Sequence, residues 1–455
     1  MTFRLFDRRL SRLETPEGVL TVRSLFFPYF IEMILINMIG TVNTIFLSHT
    51  SDLSVAAVGA ASQMLGMILT FYGVVSSGAS IVISQNLGAG KQQKASNAAV
   101  ISILFSAAFS IFIGIILALF ANSILTMMHL KEEVLTEASA YFQICIAFSF
   151  IQAITSALSG ILRSYGRPKT AVKVSIFVNM INAGFCYLIV YRPFAFPLEG
   201  VRGIAIGSVI SQGCGLLLML VLFLKASLNI HFTKGILSEL KLILSILRIG
   251  IPGGITSLSY SLSQVVSTSI IATLGTTAIT TKIYLENIFF YVYVLGLALG
   301  LSTSIIISRL VGAKEYDQAY RLNLQNLKIT ILCNCILSLT IYLLGDHIIK
   351  IFTDNPKIIN MARIIMLIDL FVELGRGFNH IEGNSLRGAG DVVFPMSVSL
   401  TSCWIVSILF SYILGVKLGL GLYGCWIAFA MDELFRGTLF FIRWNSRKWT
   451  MKSIV

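Results

Sequence analysis

The sequence predicts an all-α integral membrane fold: twelve transmembrane helices in two parallel six-helix lobes. Two observations carry this prediction. The first is composition: of 455 residues, 56% are hydrophobic and 12% charged, against about 25% charged in a soluble domain. The second is an internal repeat at an offset of 224 residues. Ala79-Ser-Ile-Val-Ile-Ser-Gln-Asn-Leu-Gly-Ala-Gly-Lys91 returns as Thr303-Ser-Ile-Ile-Ile-Ser-Arg-Leu-Val-Gly-Ala-Lys-Glu315. Leu162-Arg163 with Gly166 returns as Leu386-Arg387 with Gly390, and Pro28 returns as Pro252.

Apolar runs of about 20 residues, long enough to cross the hydrocarbon core, place the helices in order. The first lobe (24–224) holds them near 24–47, 57–85, 97–120, 138–161, 171–191 and 203–224. The second lobe (251–443) holds them near 251–273, 280–308, 325–345, 361–385, 393–414 and 422–442. Pro28 and Pro252 fall within or at the entry of the first helix of each lobe, where the missing backbone N–H favours a bend, so both are hinge candidates. A polar segment, 225–250, links the lobes. Ile236, Leu240, Ile243 and Leu247 recur in it at helical spacing, which predicts an amphipathic tether on the membrane surface. Residues 1–23 and 444–455 remain as polar terminal segments. Six helices return each lobe to its starting side, so the repeats are parallel, related by an axis along the membrane normal, as in two-lobed transporters.

Basic residues set the orientation. With a cytoplasmic N-terminus, 24 of the 34 Lys and Arg fall on the inner side, among them Arg4, Arg8, Arg9, Lys91, Lys94, Arg163 and Arg387. Seven fall outside (Lys131, Arg192, Arg202, Lys350, Lys357, Arg363, Lys417), and three lie within helices. The positive-inside rule then puts both termini in the cytoplasm. This asymmetry accounts for the net charge of +13; no soluble domain is present to turn it to nucleic acid. The N-terminus lacks the pattern of a cleavable signal peptide. All seven Cys lie in predicted helices, and Cys333 and Cys335, two apart, point different ways, so neither a disulfide framework nor a metal site is indicated.

Several short stretches at helix boundaries now combine. They are Gly88-Ala-Gly90 with its echo Gly312-Ala313, Leu162-Arg163…Gly166, Leu386-Arg-Gly-Ala-Gly-Asp391, and Gly419-Leu-Gly-Leu-Tyr-Gly-Cys-Trp-Ile427 followed by Arg443-Trp444. In these the chain resembles the multidrug and toxic compound extrusion (MATE) transporters over nearly its whole length. The resemblance implies a secondary antiporter, not an enzyme. It would export amphiphilic, cationic organic compounds from the cell across the plasma membrane in exchange for inward H⁺ or Na⁺, by alternating access between the lobes. It implies no cofactor beyond the coupling ion, a small-molecule substrate, contact with membrane lipid and a monomer. The alternative is a flippase for a lipid-linked precursor, for which extra helices and an Arg-lined groove would be the sign. The major facilitator fold is disfavoured because Leu87-Gly-Ala-Gly-Lys-Gln-Gln-Lys94 lacks the acid of its signature loop.

Charges within a bilayer are costly, about 2.5–3.5 kcal/mol at the centre on insertion scales, so each intramembrane ionisable residue is a functional candidate. The first lobe offers Glu32, one turn past Pro28, and the polar Asn43. The tenth helix carries Asp369, Glu373, Arg376 and His380 at spacings that put them on one stripe. The eighth carries Lys282 and Glu286, the twelfth Asp432, Glu433 and Arg436. Asp369, Glu373, Glu286, Asp432, Glu433 and Glu32 are therefore the cation-coupling candidates, with Arg376, Lys282 and Arg436 as charge partners. The pairs Glu373–Arg376, Glu286–Lys282 and Asp432–Arg436 are also what simple helix packing would use. Aromatics at 289, 290, 291 and 293 point around the eighth helix in several directions and read mainly as core or lipid contacts.

The chain departs from the family at its coupling positions. Relatives that couple through Na⁺ have Glu eight residues after the second proline, where Tyr260 stands, and Asp ten residues before the Leu of Leu-Arg-Gly, where Arg376 stands. Relatives coupling through the first lobe have Asp where Asn43 and Cys186 stand. Tyr260 and Asn43 are thus polar cavity candidates, and a fixed positive charge at Arg376 favours H⁺ over Na⁺.

Overall fold

A computed structural model describes residues 12–15, 18–49, 51–126, 128, 131–192, 198–226, 228, 230 and 241–455. The short hairpin β1 (Arg12–Thr15) and β2 (Gly18–Thr21) leads into α1 (Val22–Ser48). It is the one departure from an all-helical chain among the described residues. Thr21 starts α1 by a reciprocal cap: its Oγ1 accepts from Ser24 N, and Ser24 Oγ accepts from Thr21 N, both at 3.0 Å.

The helices then run as α2 (Asp52–Gly88), α3 (Gln92–Leu119), α4 (Ala121–Thr126), α5 (Glu132–Ala147), α6 (Phe150–Ser164), α7 (Lys169–Tyr191) and α8 (Gly200–Lys225). They continue as α9 (Lys241–Ala272), α10 (Thr276–Gly312), α11 (Tyr316–Leu343), α12 (Gly345–Lys350), α13 (Pro356–Gly388), α14 (Val393–Thr401) and α15 (Gly421–Asn445). Among the described residues nine helical segments are long and apolar enough to cross a membrane, and α5 with α6 makes a tenth as a span broken by 47°. The remaining long helices, α13 and α15, are the ones the sequence loads with charge. In order, these twelve match the expected apolar runs.

Several boundaries differ from the sequence reading. The fourth span is two helices rather than one, interrupted at Phe148–Ser149. The eleventh passes from α14 into wide π-helical turns, Ser402–Leu409 and Ser411–Lys417. Helices α2, α10 and α11 overrun their apolar stretches, α10 reaching 276–312, because polar residues at their ends stay within the hydrogen-bonded ladder. Of the expected linker helix, 231–240 lies outside the described residues, and Ile243 and Leu247 belong to α9.

The repeated motifs turn out to be helix stops. Gly166 and Gly390 have φ of +79° and +94°, the left-handed backbone that glycine adopts freely. After each, a backbone N–H reaches back to the Leu of Leu-Arg: Arg167 N to Leu162 O at 2.7 Å, and Asp391 N to Leu386 O at 2.9 Å.

By compactness the described chain divides into two units. One holds the chain up to Phe26, Ser84–Gly90 and Ile255–Val455; the other holds Phe27–Ile83 and Lys91–Gly254. The changeovers within α1 and α9 fall beside Pro28 and Pro252, both of which lie inside continuous helices. In the first unit α13 packs against α10, α11 and α15. Glycines bring these helices together: a Cβ on Gly300 would stand 2.2 Å from His380 O, and one on Gly375 2.6 Å from the Glu433 carbonyl carbon. One on Gly437 would stand 2.7 Å from Phe378 Cβ.

Candidate functional site

Among the described residues the largest collection of buried charge lies where α13 meets α15. Spacings of three and four residues put acids and bases on successive turns of one helix face. On α13, Glu373 is fully buried and paired with Arg376. On α15, Arg436 Nη2 lies 2.8 Å from both Asp432 Oδ2 and Glu433 Oε1. Arg376 Nε, 3.8 Å from Glu433 Oε1, joins the two helices. The result is a chain of alternating sign, Glu373–Arg376–Glu433–Arg436–Asp432.

Neutral groups hold its members in place. Asn334 on α11 donates to Glu373 O at 3.1 Å and lies 3.5 Å from its Oε2. Ser402 Oγ donates to Asp432 Oδ1 at 2.5 Å, and Asn379 donates to Glu433. The Arg376 guanidinium lies over the Tyr293 ring, 5.6 Å from its centroid, and the His380 ring meets Tyr293 edge-on at 5.1 Å. Of the aromatics at 289, 290, 291 and 293 on the eighth span, Tyr293 belongs to this site; Phe289 is core and Tyr291 is exposed. Asp369 is buried beside the chain and accepts the Trp426 indole N–H at 2.9 Å.

Counting Asp369, four buried carboxylates face two guanidiniums here, an excess of acid in a region that punishes charge. Lys282 and Glu286 stand apart. They pair with each other, Glu286 is half exposed, and neither bonds a member of the chain. Tyr260, half buried on α9, lies by contrast close enough to Arg376, Glu433 and Arg436 for their charges to act on it.

The other unit presents a different picture. Arg163 Nη1 lies 2.9 and 2.8 Å from the two oxygens of Glu32, and its guanidinium sits 4.2 Å above the Tyr29 ring. Asn43 is the centre of a neutral net. Its Oδ1 accepts from Asn182 Nδ2 at 2.7 Å and Cys186 Sγ at 3.3 Å, while its Nδ2 donates to Ser208 Oγ at 3.0 Å. Ser208 in turn donates to Asn182 at 3.0 Å. Every donor finds an acceptor without a carboxylate, so this net has nothing to ionise at ordinary pH. Among the described residues no group of His, Cys, Asp and Glu is arranged to hold a metal ion.

Several participants lie outside the intramembrane charges that the sequence singles out. Arg163 was counted as an inner basic residue, yet it is buried. Asp391 accepts from Arg443 Nε at 2.7 Å, joining the motif after α13 to the end of α15. Trp426 and Asn334 carry no charge and gave no signal. Glu382, fully buried on α13, lies inside the predicted tenth helix and was visible as one more acid there.

The chain is similar to known proteins in sequence and in fold. The profile of the family described as MatE matches residues 28–188 and 252–413, two segments that begin at Pro28 and Pro252. The chain is 36% identical to the uncharacterized transporter YisQ of Bacillus subtilis, with 95% of each chain covered. It is 26% identical to the probable multidrug resistance protein NorM of Thermotoga maritima, covering 100% of this chain and 98% of that one. Among solved structures, an outward-facing multidrug resistance MATE transporter of the MOP superfamily superposes with a TM-score of 0.85 at 21% identity, over 96% of this chain and 97% of that one.

Proposed function

The chain belongs to the MatE family of membrane transporters, and on that premise we propose that it exports amphiphilic, cationic organic compounds in exchange for protons. The exchange works by alternating access between the lobes 24–224 and 251–443. The protein acts as a monomer in the plasma membrane, with both termini in the cytoplasm. The observation that carries this reading is the excess of buried acid over base at the α13–α15 junction. Such a cluster is less costly in hydrocarbon once it takes up a cation. A proton serves better than Na⁺ because it neutralises one oxygen and needs no open coordination shell beside Arg376.

Asp369 and Glu373 are the proposed coupling acids. Glu433 and Asp432 are each tied to Arg436, and Glu433 acts as the fixed counter-charge that keeps Arg376 in place. Glu32, matched by Arg163, and the outer pair Lys282–Glu286 serve chiefly in packing. Pro28 and Pro252 supply the bends through which α1 and α9 change course.

The test is ethidium transport in proteoliposomes with pH and Na⁺ gradients imposed separately. Export driven by a pH gradient without Na⁺ supports the proposal. Export that requires a Na⁺ gradient at fixed pH overturns the choice of ion. Lack of ethidium and related cation transport on either gradient overturns the substrate class.

A further inference from the structure

Glu382 lies on α13, fully buried and outside the alternating chain. Its Oε2 accepts one hydrogen bond, from Asn323 Nδ2 on α11 at 2.8 Å, and its Oε1 has no partner. Ser385 Oγ, one turn on, lies 2.6 Å from Asn323 Oδ1. The helices packed against this part of α13 carry Tyr293 and Arg309 on α10, Tyr320, Arg321 and Lys328 on α11, and Arg436 and Arg443 on α15. The helix itself adds His380 and Arg387. None of these bonds Glu382. Asp346 on α12 is spent at the far end of α13, 3.4 Å from Arg363.

An ionised carboxylate offers about four acceptor sites. Buried with one donor and no counter-charge, it would bear a desolvation cost of several kcal/mol. The neutral acid fits the same surroundings. With the Asn323 amide as drawn, the acid keeps its accepting oxygen. With the amide turned over, the acid O–H donates to the amide oxygen, and the amide N–H donates to Ser385 Oγ. Turned over, the amide satisfies the O–H of a protonated Glu382 and offers the ionised form no bond; in the other orientation the acid keeps one accepted bond and its O–H on Oε1 finds no acceptor.

We propose that Glu382 is a second proton-binding site, separate from the Asp369–Glu373 region, filled in this conformation and emptied during the transport cycle. Its part in coupling rests on the proton-driven reading above; its occupancy does not.

Infrared spectroscopy of the full chain in nanodiscs tests occupancy directly. At neutral pH in choline buffer, the protein should show a carboxylic C=O band that Glu382→Gln loses and Glu373→Gln keeps. In Asn323→Leu the same band should shift, because the acid has lost its partner. Identical wild-type and Glu382→Gln spectra would overturn the proposal, as would loss of the band on replacing choline with Na⁺ at fixed pH. If Glu382→Gln fails to fold, Glu382→Asp keeps an acid whose displaced band reports the same site. In proteoliposomes, protons taken up per ethidium exported should fall in Glu382→Gln; an unchanged ratio would overturn the coupling role while leaving the spectroscopic result intact. A wild type that exports no ethidium would count against the proposed function alone, since the band still reads the site.

Discussion

Trp426 on α15 gives its indole N–H to Asp369 on α13 at 2.9 Å, and the second Asp369 oxygen has no hydrogen-bond partner. This is an acid held in place on one side and left open on the other. Asp369→Asn should abolish gradient-driven ethidium export while leaving yield and melting temperature near wild type, because an amide keeps the shape but cannot take up or release a proton. Glu373→Gln should abolish it too, with a lower melting temperature because Arg376 loses its buried partner. Trp426→Phe should lower stability by about 1.5–3 kcal/mol, the range for a hydrogen bond to a charged group, read as a drop in thermal unfolding midpoint. Full export by both acid variants would move coupling out of this cluster.

Glu32 and Arg163 form the other buried ion pair of consequence. Glu32→Gln leaves a buried guanidinium unmatched, and breaking such a pair costs about 3–5 kcal/mol. The variant should melt well below wild type, and Glu32→Gln with Arg163→Gln should recover part of the loss. Arrest of transport by Glu32→Gln at unchanged melting temperature would assign coupling to this pair instead.

Arg376 stands where relatives are expected to keep an acid. Unit charges about 4 Å apart interact by roughly 4 kcal/mol at an effective dielectric of 20, enough to deter a metal ion. Arg376→Gln should therefore gain export driven by Na⁺ at fixed pH. If wild type and variant respond alike to Na⁺, Arg376 does not set the ion.

Orientation can be checked chemically. Single cysteines replacing Leu135 or Lys417 should react with a membrane-impermeant maleimide in intact cells, and those replacing Gln92 or Ser446 only after permeabilisation. Labelling of Gln92→Cys from outside would invert the topology.

Ten of the long helical segments are legible because each writes a run apolar enough to cross a membrane, and the repeat is legible because glycines at 166 and 390 are required by left-handed backbone. The break at Phe148–Ser149 left no trace, since neither residue disrupts the hydropathy of the span. Within the site, spacing along one helix disclosed Glu373–Arg376 and Asp432–Arg436. Contacts between helices were out of reach: nothing local links Glu32 to Arg163, 131 residues away, or Asn323 to Glu382, 59 away.

The glycines at 300, 375 and 437 bear on how such a protein evolves. Where they stand, backbone meets neighbour with no space for even a methyl group, so a lineage has little freedom to enlarge the charged cluster or line it with bulkier groups. What it can do is exchange one polar residue for another of opposite sign at a position that is not closed off, such as 376, whose side chain keeps 20% of its surface exposed. An arginine at 376, where the family resemblance implies an acid, would be such a step, altering the ion a transporter accepts while its scaffold stays as it was.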